Sequence, residues 1–371
     1  MLGRLWNFLS NEKDQGEKEV NLYNHLCLNI RSNKQVCQAC SEVCPVNGIS
    51  LEGNRIKVGD CINCGLCAVA CPSGVFDDLW NAFYKIVKVV KDPRSNLWVS
   101  CHRAPLIKGG LQVNCLGELT TELVFYMLQK GIGNVNVLYQ PWLCEDCVCN
   151  SGQKIWEQTL NNLSILYPAG TGFNVYADFS PSDLDKIEEV DFTRRGLLRS
   201  LALDTGQMLS EFILERSDVN PRPFDQSVSL RRKAVVYMLR NMDPKMVELI
   251  GPGHLRHPEI NENCTFCGSC TTLCPSGAIK AVSNSNNMVL LVNPAECNMC
   301  GLCSVICPAQ AIKADNLLNN PDSSLEVVLI QGTKYFCEKC NTTYYCVQEN
   351  SPCPNCKNSK FKPDMLWAEF Y

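Results

Sequence analysis

Two stretches decide how this chain is read: Cys264-Thr265-Phe266-Cys267-Gly268-Ser269-Cys270-Thr271-Thr272-Leu273-Cys274-Pro275 and Cys297-Asn298-Met299-Cys300-Gly301-Leu302-Cys303-Ser304-Val305-Ile306-Cys307-Pro308. Each follows the spacing C-x2-C-x2-C-x3-C-P. Cysteines this close together are poor disulfide partners but can wrap one inorganic cluster. Three thiolates on a tight loop hold three irons of a cubane, while the fourth, just before proline, lies too far along the chain and reaches the neighbouring cube. The ligand sets therefore cross over: Cys264, Cys267, Cys270 and Cys307 form one, and Cys297, Cys300, Cys303 and Cys274 the other. Small residues beside the prolines, Gly277-Ala278 and Ala309 with Ala311, leave room for inorganic sulfur and free backbone N–H groups to point at it.

The pattern recurs near the N-terminus. Cys61, Cys64, Cys67 and Cys71-Pro72 are regular, but their partner motif keeps only Cys37, Cys40 and Cys44-Pro45. The nearest upstream cysteine, Cys27, is taken as the missing first ligand. Crossover then gives Cys27, Cys37, Cys40 and Cys71 as one set and Cys61, Cys64, Cys67 and Cys44 as the other. If Cys27 is instead a buried structural thiol, the first site has three cysteines. The loop after Cys27 carries Arg31 and Lys34, so positive charge is expected beside this cluster, raising its potential. Four such motifs exceed what tetrahedral zinc requires. Residues 20–80 and 259–316 resemble bacterial two-cluster ferredoxins, which implies four [4Fe-4S] clusters and one-electron transfer without substrate chemistry.

Between these modules, residues 95–170 change character. Leu97–Ser100 and Leu111–Asn114 read as strands, Leu119–Lys130 as an amphipathic helix and Val135–Tyr139 as a third strand, together a parallel βαβ unit. Cysteines stand where these strands end: Cys101, Cys115, Cys144, Cys147 and Cys149. The carboxyl edge of a parallel sheet is where such folds place cofactors. The stretch resembles the small iron-sulfur subunit that links hydrogenases to heterodisulfide reductases, through Cys115-Leu116-Gly117, Gly131-Ile132-Gly133 and Cys144 to Cys147 before Gly152. That resemblance implies one [2Fe-2S] cluster, for which Cys101, Cys115, Cys144 and Cys147 are the best set. Two other readings stay open: free thiols in a scaffold without cofactor, and a redox-active Cys144/Cys147 disulfide.

Residues 180–258 read as a helical linker. Ser180-Pro181-Ser182-Asp183 offers a helix start, and Pro221 and Pro223 interrupt the helical run. Arg194 and Arg195 fit a solvated basic face, or a docking surface. In the tail, 325–371, Cys337-x2-Cys340 and Cys353-x2-Cys356 have the spacing of a zinc ribbon. The same four thiolates would hold rubredoxin-type iron. Cys346 is left over.

The expected fold class is thus α+β and α/β multidomain: two dicluster ferredoxin-like modules, a central parallel βαβ domain, a helical linker and a zinc ribbon. Lys and Arg total 34 against 38 Asp and Glu, a net charge of −4, which argues against a nucleic-acid partner. No window of about eighteen apolar residues exists to enter a bilayer. With 26 cysteines read as metal ligands, a reducing, cytoplasmic setting is expected. No nucleotide-binding glycine loop is present, so catalysis is expected on another polypeptide. The function expected is an electron-transfer subunit of an anaerobic oxidoreductase complex, with a hydrogenase, formate dehydrogenase or heterodisulfide-reductase-like partner. The alternatives are a reductase acting at the central cysteines and a redox-sensing regulator whose ribbon binds DNA.

Overall fold

The computed structural model describes residues 22–53, 55–91, 95–105, 107–168, 170–177, 227–247, 256–317, 326–348 and 353–357. The twin arginines and the helix start at 180–183 lie outside these residues.

The N-terminal module is made of one-turn helices and a hairpin: α1 (Leu28–Ser32), α2 (Ala39–Val43), β1 (Ile49–Glu52), β2 (Arg55–Val58) and α3 (Leu66–Ala70). β1 and β2 pair antiparallel, Ile49 opposite Val58. Helix α4 (Asn81–Val89) buries Ala82, Phe83, Ile86 and Val87, an i, i+1, i+4, i+5 stripe, against the next layer.

That layer is a fully parallel sheet of four strands: β3 (Asn96–Cys101), β4 (Leu111–Val113), β5 (Asn134–Leu138) and β6 (Phe173–Tyr176), in the spatial order β4-β3-β5-β6. The three expected strands form. The fourth, β6, is an edge strand whose Val175 and Tyr176 are exposed, so it lacks the apolar run that marks a buried strand. Helix α5 spans Thr121–Gln129, shorter than expected at the start because Leu116–Glu118 coils as a 3-10 turn and Thr120 stays extended. Beyond the short α6 (Trp142–Glu145) runs α7 (Ser151–Leu166), which returns the chain to β6. One hydrophobic core joins module and sheet: Leu26, Ile56 and Phe76 share it with Trp80, Phe83, Val99, Val137 and Trp156. Each fully buried large side chain contributes roughly 1.5–3 kcal/mol.

The described part of the linker carries α8 (Leu230–Asn241), whose Val235, Met238 and Leu239 pack with Phe125 of α5. Residues 256–260 are extended rather than helical and form β7 (Arg256–Ile260), paired with β10 (Ile312–Leu317). Between them lie α9 (Ser269–Thr272), β8 (Ile279–Ser283), β9 (Asn287–Val292) and α10 (Leu302–Val305). The tail strand β11 (Val327–Cys337) is long enough to serve two units. Val327–Thr333 pairs with β9, and Thr333–Cys337 with β12 (Thr342–Cys346). The short α11 (Pro354–Lys357) closes the tail.

Candidate cluster-binding site

The cysteine loops share a backbone signature. In each regular motif the second residue after the first cysteine is left-handed although it is not glycine: Asn63 at φ 57°, Phe266 at 52° and Met299 at 52°. The glycine after the second cysteine follows suit, Gly65 at 73°, Gly268 at 80° and Gly301 at 72°, and each caps the one-turn helix that carries the third cysteine. A third left-handed residue lies three past every fourth cysteine: Asn47, Gly74, Gly277 and Gln310. Holding a bulky residue such as Phe266 in this region is costly and marks a functional constraint. The constraint is visible in the N–H groups it turns toward sulfur. Asn63 N–H donates to Cys61 Sγ at 3.3 Å and Phe266 N–H to Cys264 Sγ at 3.4 Å. Gly48 N–H donates to Cys44 Sγ and Ala311 N–H to Cys307 Sγ, each at 3.3 Å.

The thiols gather in crossed sets. Burial pushes the Cys40 thiol up to about 12, and Cys71, Cys37 and Cys27 add to it. Cys67 is raised by burial and then by Cys64, Cys61, Cys40 and Cys44. In the C-terminal module, burial lifts Cys270 to about 12 with Cys264, Cys267 and Cys307 behind it. Burial also lifts Cys303 to about 12, with Cys297, Cys274 and Cys270 adding to it. Crowded thiols that repel one another when ionised want a cation among them, which is what iron would supply. The donor chemistry and the N–H···S contacts fit the cluster.

The irregular first motif has its own solution. The residues between Cys27 and Cys37 fold as α1, closed by left-handed Asn33, and Asn29 staples the return. Its Nδ2 donates to Cys37 O at 2.7 Å, while its Oδ1 accepts from the N–H groups of Val36 and Cys37, both at 2.8 Å.

The expectation for Arg31 is corrected. Instead of lying over the Cys27 set, its guanidinium crosses to the C-terminal module. It donates to Leu273 O at 2.8 Å, Thr272 O at 3.2 Å and Cys274 O at 3.3 Å. These are carbonyls at the end of α9 that lack helical partners, a natural cation site. Lys34 is exposed. A second arginine, Arg232 of α8, is 4% exposed and donates to Pro294 O at 2.6 Å and Ala295 O at 3.3 Å. Sequence reasoning missed it, since nothing in the run Arg231-Arg232-Lys233 sets the buried arginine apart from its neighbours.

All five central cysteines stand at the carboxyl edge of the parallel sheet. Burial raises Cys144 to about 11, with Cys101 and Cys147 next, and raises Cys115 to about 12, with Cys101 and Cys64 among its neighbours. Cys149, left out of the expected four, is 5% exposed and packs against Cys64 and Leu66 of the N-terminal module. Its thiol, beside that of Cys64, draws the latter down to about 6.

In the tail, the sulfurs of Cys337, Cys340, Cys353 and Cys356 lie within 4.8 Å of one another, with Cys340 and Cys353 3.7 Å apart. Four sulfurs about 2.3 Å from a shared tetrahedral ion would sit about 3.8 Å apart, so the set fits one metal. Cys346 is buried, and its thiol donates to Gln348 O at 2.7 Å. Phe266 of the nearest cluster loop packs on Gly332 of β11, where a Cβ would come within 2.5 Å of the ring, and faces Tyr345 at 6.4 Å.

Residues 263–311 match the 4Fe-4S dicluster domain, and residues 55–77 match the 4Fe-4S binding domain. The second match begins after Cys44, so the irregular motif stands outside it. No curated protein matches the chain. The chain is thus an iron-sulfur protein with two ferredoxin-type 4Fe-4S domains and a C-terminal cysteine cluster. Two such domains support a role in electron transfer. Among the described residues, no helix is long and apolar enough to cross a membrane.

Proposed function

We propose that this chain carries single electrons through four [4Fe-4S] clusters between partner redox proteins. It would serve as a subunit of an anaerobic oxidoreductase complex of the hydrogenase, formate dehydrogenase or heterodisulfide-reductase-like kind. The observation that carries the reading is that each three-cysteine loop neighbours the proline-flanked cysteine of its sister motif, in both halves of the chain. A [4Fe-4S] cluster held by such a set takes up and returns one electron at a time. The four sets are those of Cys27, Cys37, Cys40 and Cys71; Cys44, Cys61, Cys64 and Cys67; Cys264, Cys267, Cys270 and Cys307; and Cys274, Cys297, Cys300 and Cys303.

Contacts between sets support a single line. The central thiols adjoin Cys64 through Cys149. Cys67 neighbours Cys40, Arg31 ties the loop after Cys27 to Cys274, and Cys303 neighbours Cys270. The line ends where Phe266 meets the tail hairpin. We assign a [2Fe-2S] cluster to Cys101, Cys115, Cys144 and Cys147 and zinc to the tail set. Iron, sulfide and zinc analysis of anaerobically reconstituted chain tests this. About sixteen irons mean cubanes alone, about eighteen add the central cluster, and one zinc fills the tail. Colourless protein without labile sulfide would sink it.

One observation favours a second reading, reduction of a disulfide or small substrate at the central thiols. Trp142 and Val148, 50% and 51% exposed, flank Cys144 and Cys147 and would seat a substrate. Turnover by the isolated chain with reduced viologen would establish it.

A further inference from the structure

We infer that Arg31 and Arg232 make the cluster of Cys274, Cys297, Cys300 and Cys303 the most readily reduced of the four, so that electrons entering from either module collect at their junction. This rests on the relay reading above.

The two guanidiniums come from different parts of the chain and meet on one ligand set. Arg31 donates to the carbonyl of Cys274 itself, and the charges it senses are those of Cys274 and Cys300. Arg232 donates to the carbonyls of Pro294 and Ala295, just before Cys297, and the thiol it senses is Cys297. The hydrogen bonds of Arg31 all end on neutral carbonyl oxygens: Leu273, Thr272, Cys274 and His25. Its positive charge is therefore directed at the cluster. By contrast, the charged groups acting on Cys40, Cys67 and Cys270 of the other sets are neighbouring thiols, whereas Cys297 has Arg232 among its neighbours. A reduced cubane carries one more negative charge than an oxidised one, so a nearby cation in a medium of low dielectric favours the reduced form. The electron comes from an adjacent cluster, which is oxidised as this one is reduced.

The surroundings of Arg232 show that the junction is built. Ser227 N–H donates to Pro275 O at 2.9 Å, Ser229 N–H to Asn298 Oδ1 at 3.2 Å, and Leu230 N–H to Asp77 Oδ2 at 2.9 Å. Arg231 donates to Val69 O at 2.7 Å. The first turn of α8 thereby fastens both ferredoxin modules around the cluster that the two arginines face.

The test is an EPR-monitored potentiometric titration of the full anaerobically reconstituted chain, with the relevant signal assigned as the one altered in Cys300→Ser. That signal should be the first to appear on reduction. In Arg31→Gln its ratio of reduced to oxidised form at fixed potential should fall about tenfold, a midpoint drop of about 59 mV for one electron. Arg31→Lys should restore most of it, Lys34→Gln should move nothing, and iron and sulfide should stay at the wild-type level throughout. Arg232→Gln should move the same signal the same way; if that buried change prevents folding, the Arg31 series decides alone. Full iron with an unmoved signal, or a shift in the signal lost with Cys27→Ser, overturns the inference and leaves the relay intact. Wild-type protein without cubane iron overturns both.

Discussion

Asn29→Ala tests how an irregular motif can hold a regular cluster. The Asn29 side chain makes three hydrogen bonds to the backbone at Val36 and Cys37, at 2.7, 2.8 and 2.8 Å, and these hold the loop shut between Cys27 and Cys37. A hydrogen bond of this kind contributes about 1 kcal/mol net, so the variant should lose about 3 kcal/mol of local stability. That is enough to shift a closed loop toward open by about two orders of magnitude. Cys37 would then leave its position beside Cys40 and Cys71. The expected result is loss of one cubane in four: iron falls by about four per chain with matching sulfide, and one EPR signal vanishes. Asn29→Asp keeps both acceptor bonds but sets a carboxylate oxygen against Cys37 O in place of the donor, so it should retain only part of that cluster. Cys27→Ala should remove the same signal as Asn29→Ala. If Asn29→Ala keeps full iron and the wild-type spectrum, the staple does not support a cluster. If Cys27→Ala also leaves the signal untouched, Cys27 is not a ligand.

Cys274→Ala should abolish the signal of the cluster held by Cys297, Cys300 and Cys303; loss of only the Cys264, Cys267 and Cys270 cluster would refute the crossover. Gly65→Ala places a Cβ 1.8 Å from Glu118 Oε1 at φ 73°, whereas Gly268→Ala at φ 80° meets only Thr271 Oγ1, at an ordinary contact distance of 3.9 Å. The second variant should show only the left-handed strain, about 1–2 kcal/mol, and the first a clearly lower melting temperature; equal effects would contradict the close packing. Burial pushes the Asp77 carboxyl from 3.8 up to about 7. A carboxyl raised on folding contributes stability that is full below its unfolded pKa and is lost as pH rises through 7. Asp77→Asn keeps an acceptor for Leu230 N–H without the charge, so it should melt above wild type at pH 8. The gap should narrow by roughly 3 kcal/mol on going to pH 5, two units below the raised value; a gap independent of pH would refute this.

The parts of this fold that the amino-acid string declares are those where one short segment does its own chemistry. Cys264 to Pro275 must wrap metal whatever surrounds it, and Val135–Tyr139 must be buried whatever covers it. What stayed hidden depends on partners distant in sequence. Strand β6 exists because β5 offers it an edge, and its own Phe173-Asn174-Val175-Tyr176 has too little apolar pattern to announce it. Strand β11 looks like the start of an independent ribbon, yet its first half is claimed by β9 through pairs such as Ile330 with Leu290. The tail hairpin is therefore an extension of the dicluster module's sheet.

The same distinction governs the site. The expected ligand sets follow from spacing, because three cysteines of each motif share one short loop and the fourth stands a fixed distance beyond it. The charges around a cluster follow from packing, and there the sequence misleads: Arg31 is four residues from Cys27 and yet bonds to Cys274. Cys149 is surplus to four central ligands, and its position against Cys64 makes it the contact between the central thiols and the N-terminal module. Both residues lie at boundaries between units, where the proposed relay would pass an electron from one module to the next. Substitutions there should change transfer between clusters while leaving iron content at the wild-type level, whereas substitutions in the cysteine loops should remove clusters one at a time.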